Sequence, residues 1–426
     1  MNYIEAVKYI HSLLKFGIRP GLNGMDALLH LLDNPHKCLK YVHVAGTNGK
    51  GSTSTAISNV LTDAGYKVGL YTSPFVTDFL ERVQFCGKPI EKGLFAKAVE
   101  RVKTAVESLE KDGVTITEFE ALTASAFLCY KELQCDAVVL EVGLGGRLDA
   151  TNIIDTPLVN VITSLSIDHS AILGNTIEEI AFEKCGTIKE NGNVVCSLGQ
   201  PEGAIKVIEK TVKEKNNTLT IPCKSDFKVL KSDIFGTDFI YKNQEYSVKM
   251  VGEHQVKNMT CVIEACNILK EYFNLTDDNI KNGISKTILP ARVEIISERP
   301  LVILDGGHNE DGAKAFYDAV SGTLDSKDKV VVIAGMMADK AVEESLKPLI
   351  KKCDYFICVT PNNPRAMAGE ELSLIAKKYC NNVIVIESPE KAVRFAENII
   401  NDKDVLCVVG SLYLAGEVRE TLLEIF

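Results

Sequence analysis

A chain of 426 residues exceeds what one ordinary hydrophobic core supports, so two domains are expected. With 46% hydrophobic and 24% charged residues and no run of eighteen apolar positions, the composition is that of a soluble globular protein and excludes a membrane-spanning helix. The net charge of −10 opposes nucleic-acid binding, and the 13 scattered cysteines, none in a Cys-x-x-Cys pair, exclude a disulfide framework and a zinc site.

In chain order, "MNYIEAVKYIHSLLKF" spaces its apolar residues as an amphipathic helix and carries Glu5, which does not fit a cleaved secretory signal; a cytoplasmic location is expected. "YVHVAG" reads as a buried strand, followed by a glycine-rich turn and the helical "STSTAISNVLTDAG". The apolar runs "KVGLYTS", "DAVVLEVG", "LVNVITSL" and "NVVCSLG" alternate with helical patterns, as βαβ units do when their strands are buried on both faces. A polar, lysine-rich patch over 203–250 holds a short β insertion ("DFKVLKSD", "DFIYKNQEYSVKM"), and a helix is expected from about His254 to Tyr272. A second series follows: "LVILDGG", "KVVVIAGMM", "DYFICVT", "NVIVIES" and "DVLCVVGS". Two α/β domains result, 1–296 and 297–426, with the natural ligand site in the cleft between them.

The stretch "HVAGTNGKGST", His43 to Thr53, has the parts of a phosphate cradle. Gly46, Gly49 and Gly51 let backbone N–H groups approach oxygens, Lys50 reaches outer phosphates, and Ser52 or Thr53 supplies a hydroxyl for magnesium. The spelling departs from the common one, with Val44 at the place of its first glycine and Gly51 at the place of its hydroxyl. A glycine-rich turn would read alike; the strand before and the helix after favour nucleotide binding, because the helix N-terminus then faces the phosphates.

Glu141 ends "DAVVLE", where open α/β sheets bind ligands, and is placed to hold magnesium; alone it would read as a solvated strand-end carboxylate. Thr176 and Glu179 form a capping box, so a helix starts there with Ile177, Ile180, Ala181 and Lys184 on one face. Burial on that face would favour the neutral amine of Lys184 and open it to carbamylation by carbon dioxide. The plainer reading is a snorkelling lysine paired with Glu183 or with the last carbonyls of the helix. His169, beside Asp168, is either a metal ligand or a polar loop residue.

"HVAGTNGKGST", "YTSP", "LEVGLGGRLDATN", the "DH…LG…T…IA.EK.G.IK" series, "GEHQVKN" and "GSLYLAGEVR" stand in an order and spacing that resembles the folylpolyglutamate synthase and dihydrofolate synthase family of the Mur ligase superfamily. The likeness runs from the first helix to the last twenty residues. It implies an N-terminal P-loop ATPase-like domain with a mostly parallel sheet and a smaller C-terminal Rossmann-like domain. It also implies an ATP-dependent ligase that joins L-glutamate to a folate or dihydropteroate carboxylate through an acyl phosphate. By this resemblance Gly46, Thr47, Asn48, Gly49, Lys50, Gly51 and Ser52 form the phosphate loop, and Ser73, Glu141 and His169 match positions associated with two Mg2+ sites. Lys184 matches the family's carbamylated lysine, Asn258 an adenine contact, and Arg292, Asp305 and His308 positions that close over the nucleotide. Arg82 falls in a segment like the folate-side loop. A monovalent cation is left open, and a monomer is implied.

Departures from the family pattern stand at Phe75, at Glu310 in "DGGHNE", in "MMADKA", and at Gly24-Met25, where an arginine-methionine pair is usual. They bear on substrate choice rather than on the catalytic core. A Mur ligase acting on a UDP-muramyl substrate would be expected to carry a further N-terminal domain, for which a phosphate loop at about residue 44 leaves no room. A regulatory or transport ATPase would not need the buried lysine or the second domain, and a nicotinamide dehydrogenase would need Gly-x-Gly-x-x-Gly in the opening loop.

Overall fold

The computed structural model describes residues 1–17 and 19–426. Eight strands form the first sheet: β1 (Tyr41–Ala45), β2 (Val68–Tyr71), β3 (Val83–Phe85), β4 (Lys88–Pro89), β5 (Ala137–Glu141), β6 (Val159–Ile162), β7 (Asn193–Cys196) and β8 (Thr218–Thr220), in the order β4-β3-β2-β5-β1-β6-β7-β8. All neighbours are parallel except at the β2-β3-β4 edge. That edge hairpin, absent from the sequence reading, turns at Cys86 and Gly87, both left-handed (φ 48° and 75°), as a two-residue hairpin turn requires. β8 was also not anticipated.

Alternation along the strands sends side chains to two cores. Val138 and Leu140 pack with Ile10, Leu28, Phe95 and Phe127, while Ala137 and Val139 pack with Ile57, Val60, Met259 and Val262. The expected helices are present at Tyr3–Ser12, Lys50–Asp63, Ile177–Cys185 and Glu253–Leu269, the first continuing as a tighter turn over Leu13–Phe16. The insertion is a three-stranded antiparallel sheet, β9 (Phe227–Asp233), β10 (Gly236–Tyr241) and β11 (Gln244–Val248), whose Phe239, Tyr241 and Val248 join the second core.

The second sheet holds β12 (Glu294–Glu298), β13 (Leu301–Leu304), β14 (Val330–Ala334), β15 (Tyr355–Cys358), β16 (Val383–Val385) and β17 (Val405–Val409), ordered β12-β13-β17-β14-β15-β16. Only β12 runs antiparallel. It begins at Glu294, so the boundary expected between 296 and 297 falls inside this strand. Among the described residues no helix is long and apolar enough to cross a membrane.

Candidate functional site

β1 lies between β5 and β6, and its register sets Val44 opposite Glu141. The phosphate loop and Glu141 therefore emerge side by side at the carboxyl edge of the sheet. Thr47 and Asn48 are fixed by N–H donation to the carbonyl of Ser164 (2.8 and 3.3 Å). Gly49 is left-handed (φ 87°), and a Cβ there would stand 2.8 Å from Cγ of Asn258, so only glycine satisfies both conformation and space. The helical ladder starts with the Thr53 N–H to Gly49 (3.0 Å), which leaves the N–H groups of Lys50, Gly51 and Ser52 for an anion. Lys50 Nζ donates to the Thr47 carbonyl (3.0 Å) from an enclosed position that pushes its pKa down, against the pull of Glu141 and Asp168. Ser52 lines the cavity, whereas Thr53 is fully buried without a partner for its hydroxyl, so Ser52 is the hydroxyl that faces the phosphate region.

Glu141 is 4% exposed and accepts one N–H, from Ser73 (3.1 Å). Burial pushes its pKa up to about 7 despite Lys50 and that hydrogen bond. A carboxylate with unused acceptor capacity, flanked by the serines at 52 and 73, is a hard-oxygen donor set that fits Mg2+ completed by water and phosphate oxygens. Among the described residues, no three His, Cys, Asp or Glu side chains converge into a metal site of their own. His169 lies on the cavity wall in a left-handed residue (φ 52°), its side chain 48% exposed and 3.9 Å from Asp168.

Lys184 is buried on the apolar face, next to Ile180 and Ala181, behind the capping box of Thr176 and Glu179. Its Nζ donates to the Gly46 carbonyl (2.7 Å), beneath the phosphate loop rather than on the cavity wall. Burial, with the nearby charge of Lys50, pushes its pKa down to about 7. The snorkelling alternative does not hold, since Glu183 pairs instead with Arg147 (2.8 Å). The glycine loop after Glu141 is fixed by Asp149, which takes the N–H groups of Gly143 and Leu144 (3.1 and 2.9 Å) and binds Thr151, itself 2.9 Å from the buried His43.

The second domain closes the cavity from above. Arg292 sits in the linker between Ala291 and Val293, both left-handed (φ 53° and 50°), an unusual setting for a β-branched residue. Asp305 is buried and fully engaged: its two oxygens take the N–H groups of Val293 (2.9 Å) and Gly307 (2.7 Å). His308 lines the cavity with its pKa pushed down to about 4 by burial and by the charges of Arg292 and Lys340. Two contacts not found from sequence cross the cleft: Lys340 to Asp168 (3.4 Å) and Asn309 to Asn48 (3.4 Å). Asn258 donates to Gln255 (3.0 Å) and packs on Gly49.

At the far end, Arg82 is 8% exposed, donates to Glu118 (3.0 Å) and lies between the rings of Phe79 and Phe119 (5.8 and 5.7 Å). Its Nε is buried without a partner. Glu118 escaped the sequence reading because its only signal is a position in the first turn of the helix Glu118–Glu132, which any capping carboxylate shares. At Gly24 a Cβ would stand 2.8 Å from a carboxylate oxygen of Glu120, whose other oxygen is held by Thr117 (2.7 Å). Any side chain at residue 24 would therefore move Glu120. Lys50, Ser52, Ser73, Glu141, His169, Asn258, Arg292, His308 and Arg82 line one cavity of about 1720 Å³ that runs from the phosphate loop to Phe75 and Arg82, with Lys184 beneath its floor.

The family model described as the Mur ligase middle domain matches residues 44–266, and that described as the Mur ligase glutamate ligase domain matches 291–412. Folylpolyglutamate synthase of Lacticaseibacillus casei is 36% identical, and dihydrofolate synthase/folylpolyglutamate synthase of Bacillus subtilis 35% identical, with 99% of each chain covered in both cases. Mycobacterium tuberculosis folylpolyglutamate synthase complexed with ADP and AMPPCP superposes with a TM-score of 0.88 at 27% identity over 99% of each chain. E. coli FolC in complex with DHPP and ADP gives 0.85 at 28% identity, over 99% of this chain and 98% of that one.

Proposed function

Because the chain belongs to the folylpolyglutamate synthase and dihydrofolate synthase family of Mur ligases, we propose that it is an ATP-dependent ligase joining L-glutamate to a folate or pteroate carboxylate. The observation that carries this reading is the continuous cavity, with a phosphate loop at one end and the aromatic, arginine-bearing wall of Phe75, Phe119 and Arg82 at the other. A nucleotide and a long aromatic acid fit there end to end.

The acceptor's carboxylate oxygen attacks the γ-phosphorus of ATP, the bond to the β-phosphate oxygen breaks, and ADP leaves with an acyl phosphate formed on the acceptor. The glutamate amine then adds to the acyl carbon and loses a proton as the C–O bond to phosphate breaks. Lys50 and the N–H groups at the start of Lys50–Asp63 offset charge on the transferring phosphoryl group. Ser52, Ser73 and Glu141 would hold one magnesium, and His169 would contribute to a second. Magnesium supplies Lewis-acid charge neutralisation at the phosphates. Arg292 and His308 bring positive charge and a neutral imidazole over the nucleotide, Asn258 faces the base, and Arg82 orients the acceptor. Lys184, carbamylated through its neutral amine, would place an anion beneath the loop. The protein acts as a cytoplasmic monomer.

The test is ADP release by the purified protein with ATP, magnesium and L-glutamate, supplied with dihydropteroate or tetrahydrofolate, and the product mass read in parallel. Glutamate-dependent turnover that adds one glutamyl unit is expected, and the preferred acceptor decides which synthase activity dominates. ADP release indifferent to acceptor and glutamate would sink the ligase reading.

A further inference from the structure

We infer that Gly416, on the helix Leu412–Ile425, is a positioning residue that seats the second domain on the loop 73–78 and thereby fixes the acceptor end of the cavity. The inference rests on the ligase reading for its kinetic consequence, though not for its geometry. A Cβ built at Gly416 would run into the carbonyl oxygen of Val76 and lie 3.2 Å from its carbonyl carbon. The obstacle is backbone, which cannot swing aside as a side chain can. The Val76 side chain packs against the second domain's own core, the cluster holding Leu414, Ala415 and Val418. A residue of the first domain is thus built into the second.

The loop is held firmly from its other side. The Glu81 carboxylate accepts three successive N–H groups, from Val76 (2.7 Å), Thr77 (3.0 Å) and Asp78 (2.9 Å), so the Val76 carbonyl is presented as a rigid bearing surface. Ser73, beside Glu141, and Phe75, packed edge-on against Phe79, lie in the same loop, and Arg82 follows Glu81. The helix is anchored in turn: Arg419 grips Glu294 at the start of β12 (2.7 and 3.1 Å), and Glu417 takes the Asn362 N–H (2.7 Å). One helix therefore connects the linker, the 361–366 loop and the acceptor-side loop, and its contact with the last is permitted only by the missing side chain at 416. Displacing such a bearing by a fraction of an ångström shifts the 75–78 end of the loop and misplaces the acceptor carboxylate, while Ser73, held at the other end by its N–H to Glu141, and the phosphate loop keep their places.

In the full chain, Gly416→Ala is expected to raise the acceptor KM about tenfold and lower kcat, since misplacement by 1 Å costs up to about 100-fold, with the KM for ATP within about twofold. Hydrogen exchange of the Val76, Thr77 and Asp78 amides should quicken in the same variant. Gly322→Ala, at a helical glycine with open space around it, serves as the control and should leave both readouts unchanged. Equal shifts of both KM values, or unchanged acceptor KM and exchange rates, would overturn the assignment. If Gly416→Ala does not fold, Val76→Ala tests the same seat: a rise in acceptor KM with faster exchange at 77 and 78 supports it, and neither change overturns it. A wild-type protein without glutamate-dependent turnover refutes the ligase reading instead, and the exchange measurement still decides the seat.

Discussion

Glu141 and Asp305 are both buried carboxylates at the carboxyl ends of strands, one in each sheet, yet they are used in opposite ways. Glu141 accepts a single hydrogen bond and keeps the rest of its acceptor capacity facing the cavity. Asp305 has each oxygen committed to a backbone N–H, one of them in the linker that carries Arg292. Burial raises the pKa of both groups. What separates a carboxylate open to a ligand from a scaffolding one is therefore not burial or a shifted pKa but how much hydrogen-bonding capacity remains unused.

The contrast can be broken by substitution. The largest effect is expected at Lys50, the cation that faces Glu141: Lys50→Ala should lower ligase turnover by about 100-fold or more, the loss typical when a preorganised donor is removed. Near-normal ADP release by that variant would refute its role. Glu141→Gln should lower turnover by about 100-fold while chemical denaturation shows stability unchanged or raised, because a neutral amide relieves a desolvated carboxylate. If Glu141→Gln unfolds more easily with its activity kept, Glu141 belongs with Asp305 as scaffold. Asp305→Asn presents an NH2 group to one of two backbone donors and should destabilise the chain by about 1–3 kcal/mol, read by urea denaturation. No loss of stability would show that the linker holds itself.

The remaining effect concerns pH and is small within any one pH unit. Lys184 titrates at about 7 in the folded chain, and an unfolded lysine at about 10.4. Between these values the unfolded chain binds more protons, so this residue makes folding stability rise with pH, by up to about 1.4 kcal/mol per pH unit. Lys184→Met should flatten that part of the stability curve, and an unaltered slope would mean that the amine is not held neutral. If the amine is carbamylated in the working enzyme, Lys184→Ala should lose activity that short-chain carboxylic acids partly restore.

Much of this was legible in the sequence where the signal is local. A buried strand, a glycine-rich turn and a helix placed Lys50 and Ser52, and a capping box with apolar spacing placed Lys184 on a buried face. What periodicity does not carry is pairing between distant residues. Glu118 with Arg82, Lys340 with Asp168 and Gly416 with Val76 join segments 36 to 340 positions apart, and no pattern within any one segment marks its partner. The direction of the Lys184 amine was hidden for the same reason, since its acceptor, the Gly46 carbonyl, lies 138 residues away. The left-handed residues around Arg292 escaped because neither is the glycine or asparagine that usually marks such backbone.

Those two residues bear on how the domains are joined. A glycine tether would let one half drift over the other through a continuum of angles. Alanine and valine have only one narrow well on the positive side of φ, reached at roughly 1–3 kcal/mol each. The joint is therefore stiff where it is left-handed, and any change of angle made at these two residues must leave that narrow well rather than slide within it.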